Sequence, residues 1–204
     1  MHTLHSYDGL CSVEEVVAAA RAKGLHGIAI TDHNSIGGHR EAKKFSGSGF
    51  LVIPGIEVSS ADGHIVGLGV SESIPQGLSA NETVERIKEQ GGLAVAAHPF
   101  ALGRKPGLIH KAKFDAIEVL NSRAFFISNQ LARRFAERNK LSMVAGSDAH
   151  RRDEIGLAYT IVDCEPRTDL VLEQIKMGRS SALGRAIPFP GLLWRFIRKL
   201  ISRR

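Results

Sequence analysis

A chain of 204 residues, 43% hydrophobic and 24% charged, is long enough for one domain with a buried core, which excludes a disordered or fibrous protein. The net charge of +6 is concentrated: Arg195, Arg198, Lys199, Arg203 and Arg204, in the acid-free segment 186–204, carry five of those charges. The remaining body is near neutral, so an electrostatic footprint for long nucleic acid is not supported. Cys11 and Cys164 are too few for a disulfide framework, and no N-terminal apolar run with a cleavage site is present, which points to the cytoplasm. No apolar stretch is long enough to span a bilayer.

In chain order, SVEEVVAAARAKG reads as a helix with Ser12 as N-cap, Glu15 completing a capping box and Gly24 as the stop. LHGIAIT (25–31), FLVIPGIEV (50–58) and GHIVGLGV (63–70) read as buried strands. A helix over SANETVERIKEQGG leads to the strand GGLAVAA (91–97), followed by FDAIEVL (114–120). SNQLARRFAERNK is helical, LSMVAG (141–146) and LAYTIVD (157–163) are strands, and TDLVLEQIKMG closes the pattern as a helix. This alternation predicts an α/β fold with a parallel sheet covered by helices. The tail repeats Leu192, Leu193, Phe196, Ile197, Leu200 and Ile201 at helical spacing between its cations, so 186–204 is expected to form a basic amphipathic helix. Packing against the domain and peripheral contact with a membrane surface both stay open for it, with a nucleic-acid arm third.

The ligand-type residues gather at strand edges. GIAIT runs into Asp32 and His33, VIPGI into Glu57, LAVAA into His98, and MVAGS into Asp148 and His150, while His64 opens a strand. In a closed parallel barrel these ends converge on one face, where barrel active sites form. A lone histidine there would be an ordinary core residue. Several edges bearing imidazole or carboxylate point instead to metal, and mixed nitrogen and oxygen donors suit Zn, Mn or Fe. There are more ligands than one ion needs, so a shared carboxylate such as Glu57 or Asp148 could bridge two ions. Such a cluster activates water and grips phosphate oxygens, which fits phosphoester hydrolysis.

The segments HTLHSYDG (2–9), ITDHN (30–34), PGIEV (54–58), GHIVGLG (63–69), AHP (97–99) and GSDAH (146–150) resemble, in order, the motifs of the PHP family, named for polymerase and histidinol phosphatase. The resemblance runs from residue 1 to about 185 and implies a distorted (βα)7-type barrel holding two to three divalent ions. It implies the metal ligands His2, Asp8, His33, Glu57, His64, His98, Asp148 and His150. Glu57 would bridge two ions, one also held by His64 and His98 and the other by His2 and Asp148. Asp8, His33 and His150 would hold the third. Asp32 is expected to orient an imidazole, whereas His5, His26, His39 and His110 read as solvated and Cys11 as a packing residue. The family's first motif usually begins D-L-H-x-H-T, of which only His2 onward is present. The expectation is therefore a first strand truncated at the N-terminus, one ligand short and with a weakened first metal site.

Water held by the metals is the expected nucleophile, with no separate catalytic side chain assigned. Arg104, Asn121, Arg123 and Arg151 are the candidate substrate-binding residues, because each follows a strand on the expected active face. The expected activity is hydrolysis of a phosphate ester: a small phosphomonoester, a nucleotide or an oligonucleotide end, by a phosphatase or nuclease-type reaction. The alternative is a non-catalytic PHP-like scaffold subunit of a ribonucleoprotein or other complex. The domain division is 1–185 for the phosphoesterase barrel and 186–204 for the helix. The oligomeric state is left open.

Overall fold

The computed structural model describes residues 1–47, 49–103, 107–188 and 191. Arg104 and the apolar and basic positions of the expected C-terminal helix lie outside the described residues. No helix among the described residues is long and apolar enough to cross a membrane.

Helix α1 (Val13–Ala22) begins as its sequence predicts. Ser12 Oγ accepts from Glu15 N at 3.2 Å and Glu15 Oε2 accepts from Ser12 N at 2.8 Å, satisfying two backbone donors that the first turn leaves open. Its apolar stripe, Val13, Val16, Val17 and Ala20, packs in one cluster with Ile28 and Ile30 of β1 (Gly27–Ile30). The short α2 (His39–Ala42) follows, and the His39 ring is hydrogen-bonded to the Gly55 backbone rather than left in solvent.

The main sheet has the order β1, β2 (Leu51–Ser59), β3 (His64–Leu68), β4 (Leu93–Ala96), β5 (Ala116–Asn121) and β6 (Ser142–Gly146), curled into a half-barrel. It is not all parallel, as the alternation suggested: β3 runs against both neighbours. The reason is local. Only residues 60–63 join β2 to β3, and a parallel crossover needs a dozen residues or more. Ser60 closes this turn, its Oγ donating to Gly63 O at 2.6 Å, and Gly63 takes φ +149. The reversal has a functional consequence. It brings the start of β3 beside the ends of the other strands, which is why His64 opens its strand while the other candidate ligands follow theirs.

Helix α3 (Ala80–Glu89) repeats the capping-box logic with Ser79 and Glu82, and buries Val84 and Ile87 against Ile56, Ile65 and Ile117. Strand β4 is buried on both faces. Ala94 and Ala96 join that cluster, while Leu93 and Val95 meet Val144 and Ile175 on the other side. Helix α4 (Phe126–Asn139) leads to β6, and α5 (Thr168–Lys176) lies between β7 (Ala158–Val162) and β8 (Ser180–Gly184). Strands β7 and β8 form a separate antiparallel pair. This pair docks on β6 through side-chain hydroxyls: Thr160 Oγ1 bonds both Ala145 N and Ala145 O at 2.9 Å, and Ser180 Oγ donates to Met143 O at 2.8 Å. Strand β8, SSALG, has no long apolar pattern and was not expected from the sequence.

Candidate metal centre

The strand edges bring the expected ligands together. Residues 1–3 run beside β1 and the segment after β6, with Thr31 N donating to Met1 O and His2 N to Ala149 O, both at 2.9 Å. This places His2 at the centre of the cluster. Asp32, expected to orient an imidazole, instead holds the backbone of this stretch: its carboxylate accepts from Thr3 N at 2.5 Å and Thr3 Oγ1 at 2.8 Å. Gly9 closes the loop because a Cβ there would come 1.9 Å from Thr3 O. Ser6 ties the loop to the site, donating to Asp8 Oδ1 at 3.0 Å and accepting from His33 N at 3.3 Å.

Glu57 is the hub, only 3% exposed. Its Oε1 accepts from His64 Nδ1 in a short contact and from His98 Nε2 at 3.2 Å, and its Oε2 lies 3.2 Å from His2 Nε2. The same His2 nitrogen is 3.0 Å from Asp148 Oδ1. On the other side of His2, Asp8 Oδ2 lies 3.1 Å from His150 Nε2 and 3.8 Å from His33 Nε2. Among the described residues, three sets of donor atoms lie close enough to hold an ion: His2, Asp8, His33 and His150; His33, Glu57 and His64; and His2, Glu57 and Asp148. His98 belongs to none of these sets but touches Glu57 directly.

The donor set fits a divalent cation. Three imidazoles converge on one buried carboxylate, an arrangement of nitrogen and oxygen donors around a buried negative charge that a cation would complete. His33 Nδ1 is buried without a hydrogen-bond partner, an uncommon state for a polar atom. Strain gathers here as well: Asn34, His98 and Asp148 have φ of +52, +31 and +48, costly for residues with a Cβ. The His98 conformation is held by Glu118 Oε2, which accepts His98 N at 2.8 Å.

The electrostatics follow from burial and pairing. Burial alone would lower the His2 pKa, but the bonds to Asp148 and Glu57 outweigh it and raise it to about 9. Burial likewise opposes the charge on His98, and its bond to Glu57 raises it to about 9. His33 is lowered to about 4 because burial outweighs its carboxylate neighbours. Although burial disfavours their charged forms, three carboxylates are held well below the usual range: Asp8 by hydrogen bonds from His150 and Ser6, Glu57 by His2, His64 and His98, and Asp148 by His2. Burial pushes Glu118 up to about 7.

These shifts set a pH dependence. His2 and His98 are raised above their unfolded value near 6.5, so their stabilisation is complete below that pH and is lost as pH rises through about 9. Chelator-treated protein is expected to melt at a lower temperature at pH 10 than at pH 7. Added Zn or Mn should remove much of that difference by replacing the lost protons with cations. A metal-free melting temperature that stays flat over this range would refute the assignment.

The candidate substrate residues separate. Arg123 is partly exposed, with Nε 3.9 Å from Asp148 Oδ2 and Nη1 donating to Glu154 Oε2 at 3.1 Å. Asn121 is buried and donates to Glu118 Oε2 at 3.1 Å and Asp148 Oδ2 at 3.4 Å, while its Oδ1 accepts Arg123 N. Arg151 is exposed and faces Asp153 at 3.4 Å. Glu154 was not among the candidates, yet it is fully buried and also accepts His150 N at 2.9 Å. Of the remaining histidines, His5 meets Glu41 at 3.4 Å near the surface and His110 packs edge-on against Phe135.

The class defined by this curled α/β sheet and its His, Asp and Glu cluster matches a known family. The PHP domain family model matches residues 1–151, and a PHP-associated model matches residues 126–180. The chain belongs to the PHP family. An uncharacterized protein of Methanocaldococcus jannaschii is 45% identical over 120 residues, covering 54% of this chain and 68% of its own. A solved two-domain protein of Bacteroides vulgatus, described as containing a predicted PHP-like metal-dependent phosphoesterase, superposes with TM-score 0.72 at 22% identity. That match covers 98% of this chain and 68% of that one. A lesion-specific endonuclease Q from Pyrococcus furiosus superposes with TM-score 0.67 at 18% identity, covering 89% of this chain and 56% of the endonuclease. The last two likenesses concern the fold.

Proposed function

We propose that this protein is a metal-dependent phosphoesterase whose centre is formed by His2, Asp8, His33, Glu57, His64, His98, Asp148 and His150, on a barrel of the (βα)7 type. The observation that carries this is Glu57, a buried carboxylate reached by three imidazoles and contiguous with the donors around Asp8 and Asp148. Two to three divalent ions held there, Mn, Zn or Fe, would activate water and neutralise charge on a phosphoryl group.

The chain's own residues orient and bind. Glu57 and Asp148 hold the His2 ring between them, and Asn121 and His150 steady Asp148 in turn. Asn121 is thereby read as a positioning residue, because its donors are directed at Glu118 and Asp148. Among the described residues, Arg123 is the cation best placed for a phosphoryl oxygen: it lies beside Asp148, partly exposed, and is held in place by Glu154. Arg151 is the weaker candidate. The substrate class is a small phosphomonoester, a nucleotide or an oligonucleotide end. A related fold, endonuclease Q, has been solved with a 27-mer duplex substrate bearing an abasic lesion at its active site. The scaffold reading predicts lost ligands, whereas all eight donor residues assemble here. Residues 1–185 are assigned as the catalytic unit of a cytoplasmic protein, and the basic segment that follows is assigned to contact with the barrel or with a membrane surface.

The test is metal analysis with a panel of phosphomonoesters, phosphodiesters and 5′-labelled oligonucleotides in Mn, with Asp148→Ala as control. Cleavage by the native protein and not by the control is expected; bound metal absent and every ester intact would favour the scaffold. Arg123→Ala is expected to lower kcat/KM about 10- to 100-fold with metal content kept, and Arg123→Lys to recover part of it. Unchanged kinetics on the best substrate would remove Arg123 from the site.

A further inference from the structure

Strand β5 carries a register shift against β6: Glu118 lies opposite Val144 and Leu120 opposite Ala145, so β5 has one residue more than its partner there. In a regular strand, side chains three positions apart point to opposite faces. The extra residue lets those of Glu118 and Asn121 meet, and Asn121 Nδ2 donates to Glu118 Oε2 at 3.1 Å. Asn121 is itself locked by α4. Asn129 Oδ1 accepts Asn121 N and Asn129 Nδ2 donates to Asn121 O, both at 3.0 Å.

The same Glu118 oxygen serves β4. The ladder between β4 and β5 ends where Ala96 meets Ile117, and beyond it His98 N donates to Glu118 Oε2 at 2.8 Å. His98 needs such a hold, because its φ of +31 is costly for a residue with a Cβ. The His98 ring reaches Glu57, and Asn121 reaches Asp148 Oδ2 at 3.4 Å. One oxygen is thereby linked to two carboxylates of the centre along separate routes. The other oxygen constrains β6: a Cβ at Gly146 would come 2.7 Å from Glu118 Oε1, so glycine leaves the room in which this carboxylate sits.

We infer that Glu118 is a positioning residue of the metal centre, which fixes His98 directly and Asp148 through Asn121, with Gly146 as the space it requires. This rests on the metal-dependent reading of the centre and adds a residue outside the donor sets. Partners of this kind, which orient ligands without touching the ion, are typically worth 10- to 100-fold in metal affinity.

The test is titration of metal-free, full-length protein with Co(II), followed by calorimetry and by the visible absorption of the bound ion, which reports ligand geometry. Glu118→Ala is expected to weaken Co(II) binding about 10- to 100-fold and to change that absorption. Glu118→Gln should recover most of the loss, because both neighbours are donors and draw the amide oxygen toward them. Gly146→Ala should weaken binding while Glu118 is present and add little in combination with Glu118→Ala, since the group it displaces is then gone. A Glu118→Ala protein that melts lower but binds Co(II) as the native protein does overturns the inference. So does Glu118→Gln binding as weakly as Glu118→Ala, which would assign the effect to charge alone. If Glu118→Ala does not fold, Gly146→Ala decides, and native Co(II) affinity there overturns the inference. Cleavage of a phosphate ester with Co(II) affinity indifferent to Glu118 rejects the inference while the phosphoesterase reading stands. Glu118-dependent Co(II) affinity in a native protein that cleaves no ester supports the inference and rejects that reading.

Discussion

Replacing Glu57 by glutamine is expected to lower kcat/KM on any phosphate ester on the order of 10³-fold and to cut the bound metal sharply. The amide keeps the shape of the carboxylate but loses its charge. Three imidazoles, those of His2, His64 and His98, then face a neutral group in a buried space. For His98 the consequence has a definite sign. Its pKa is held up to about 9 by Glu57 against burial, so without that carboxylate burial prevails and the proton is shed at lower pH. The metal-free variant should therefore have lost, already at pH 7, the share of the stabilisation that His98 supplies to the native protein until about pH 9, while His2 keeps its bond to Asp148. Metal analysis, steady-state rates and melting curves at both pH values would check this. Full metal content with native rates would show that Glu57 is not the hub of the centre.

Glu154→Ala is expected to destabilise the protein by about 3 kcal/mol, although this residue is not one of the expected metal ligands. Glu154 is fully buried and accepts from the Arg123 guanidinium and from His150 N. Its removal leaves a buried backbone N–H without that acceptor and a partly buried guanidinium with only the longer 3.9 Å approach to Asp148. In a chain of this size the melting temperature should fall by about 6–12 °C. Because Arg123 loses its anchor, kcat/KM should also fall. Combining Glu154→Ala with Arg123→Ala should cost less than the sum of the two, since both break the same pair. Denaturant unfolding of the three variants measures this, and strict additivity or a loss under 0.5 kcal/mol would refute the coupling. Glu154 was hidden in the sequence because burial is not a property of the four letters RRDE. It arises when the segment after β6 folds back beneath Arg123.

Local chemistry made much of the fold readable. Ser12 with Glu15, and Ser79 with Glu82, begin helices where the capping box places them, since both partners lie within one turn. The apolar runs became strands because each carries its own β-branched, buried pattern. The eight candidate ligands were singled out by their resemblance to the ordered PHP motifs, and the structure brings their side chains into one cluster. The direction of β3 was also within reach, because only four residues separate it from β2. What misled was the general alternation of strands and helices, which favours a parallel sheet and overlooked that short link. Strand β8 was not legible, since SSALG gains its role only by pairing with β7 and by the bond from Ser180 to Met143 O.

The sequence by itself determined which residues can carry charge and bind metal, where helices start, and that imidazoles and carboxylates would lie at strand edges. Those properties depend on residue type and on neighbours within a few positions. Only the tertiary structure decided that Glu57 is the hub, that Asp32 anchors Thr3 rather than an imidazole, that Asn121 is directed at Asp148, and that Tyr7 stacks on His33. Each of these depends on contacts between residues far apart in the chain, and the direction of a side chain across such a gap is set by packing, not by local preference.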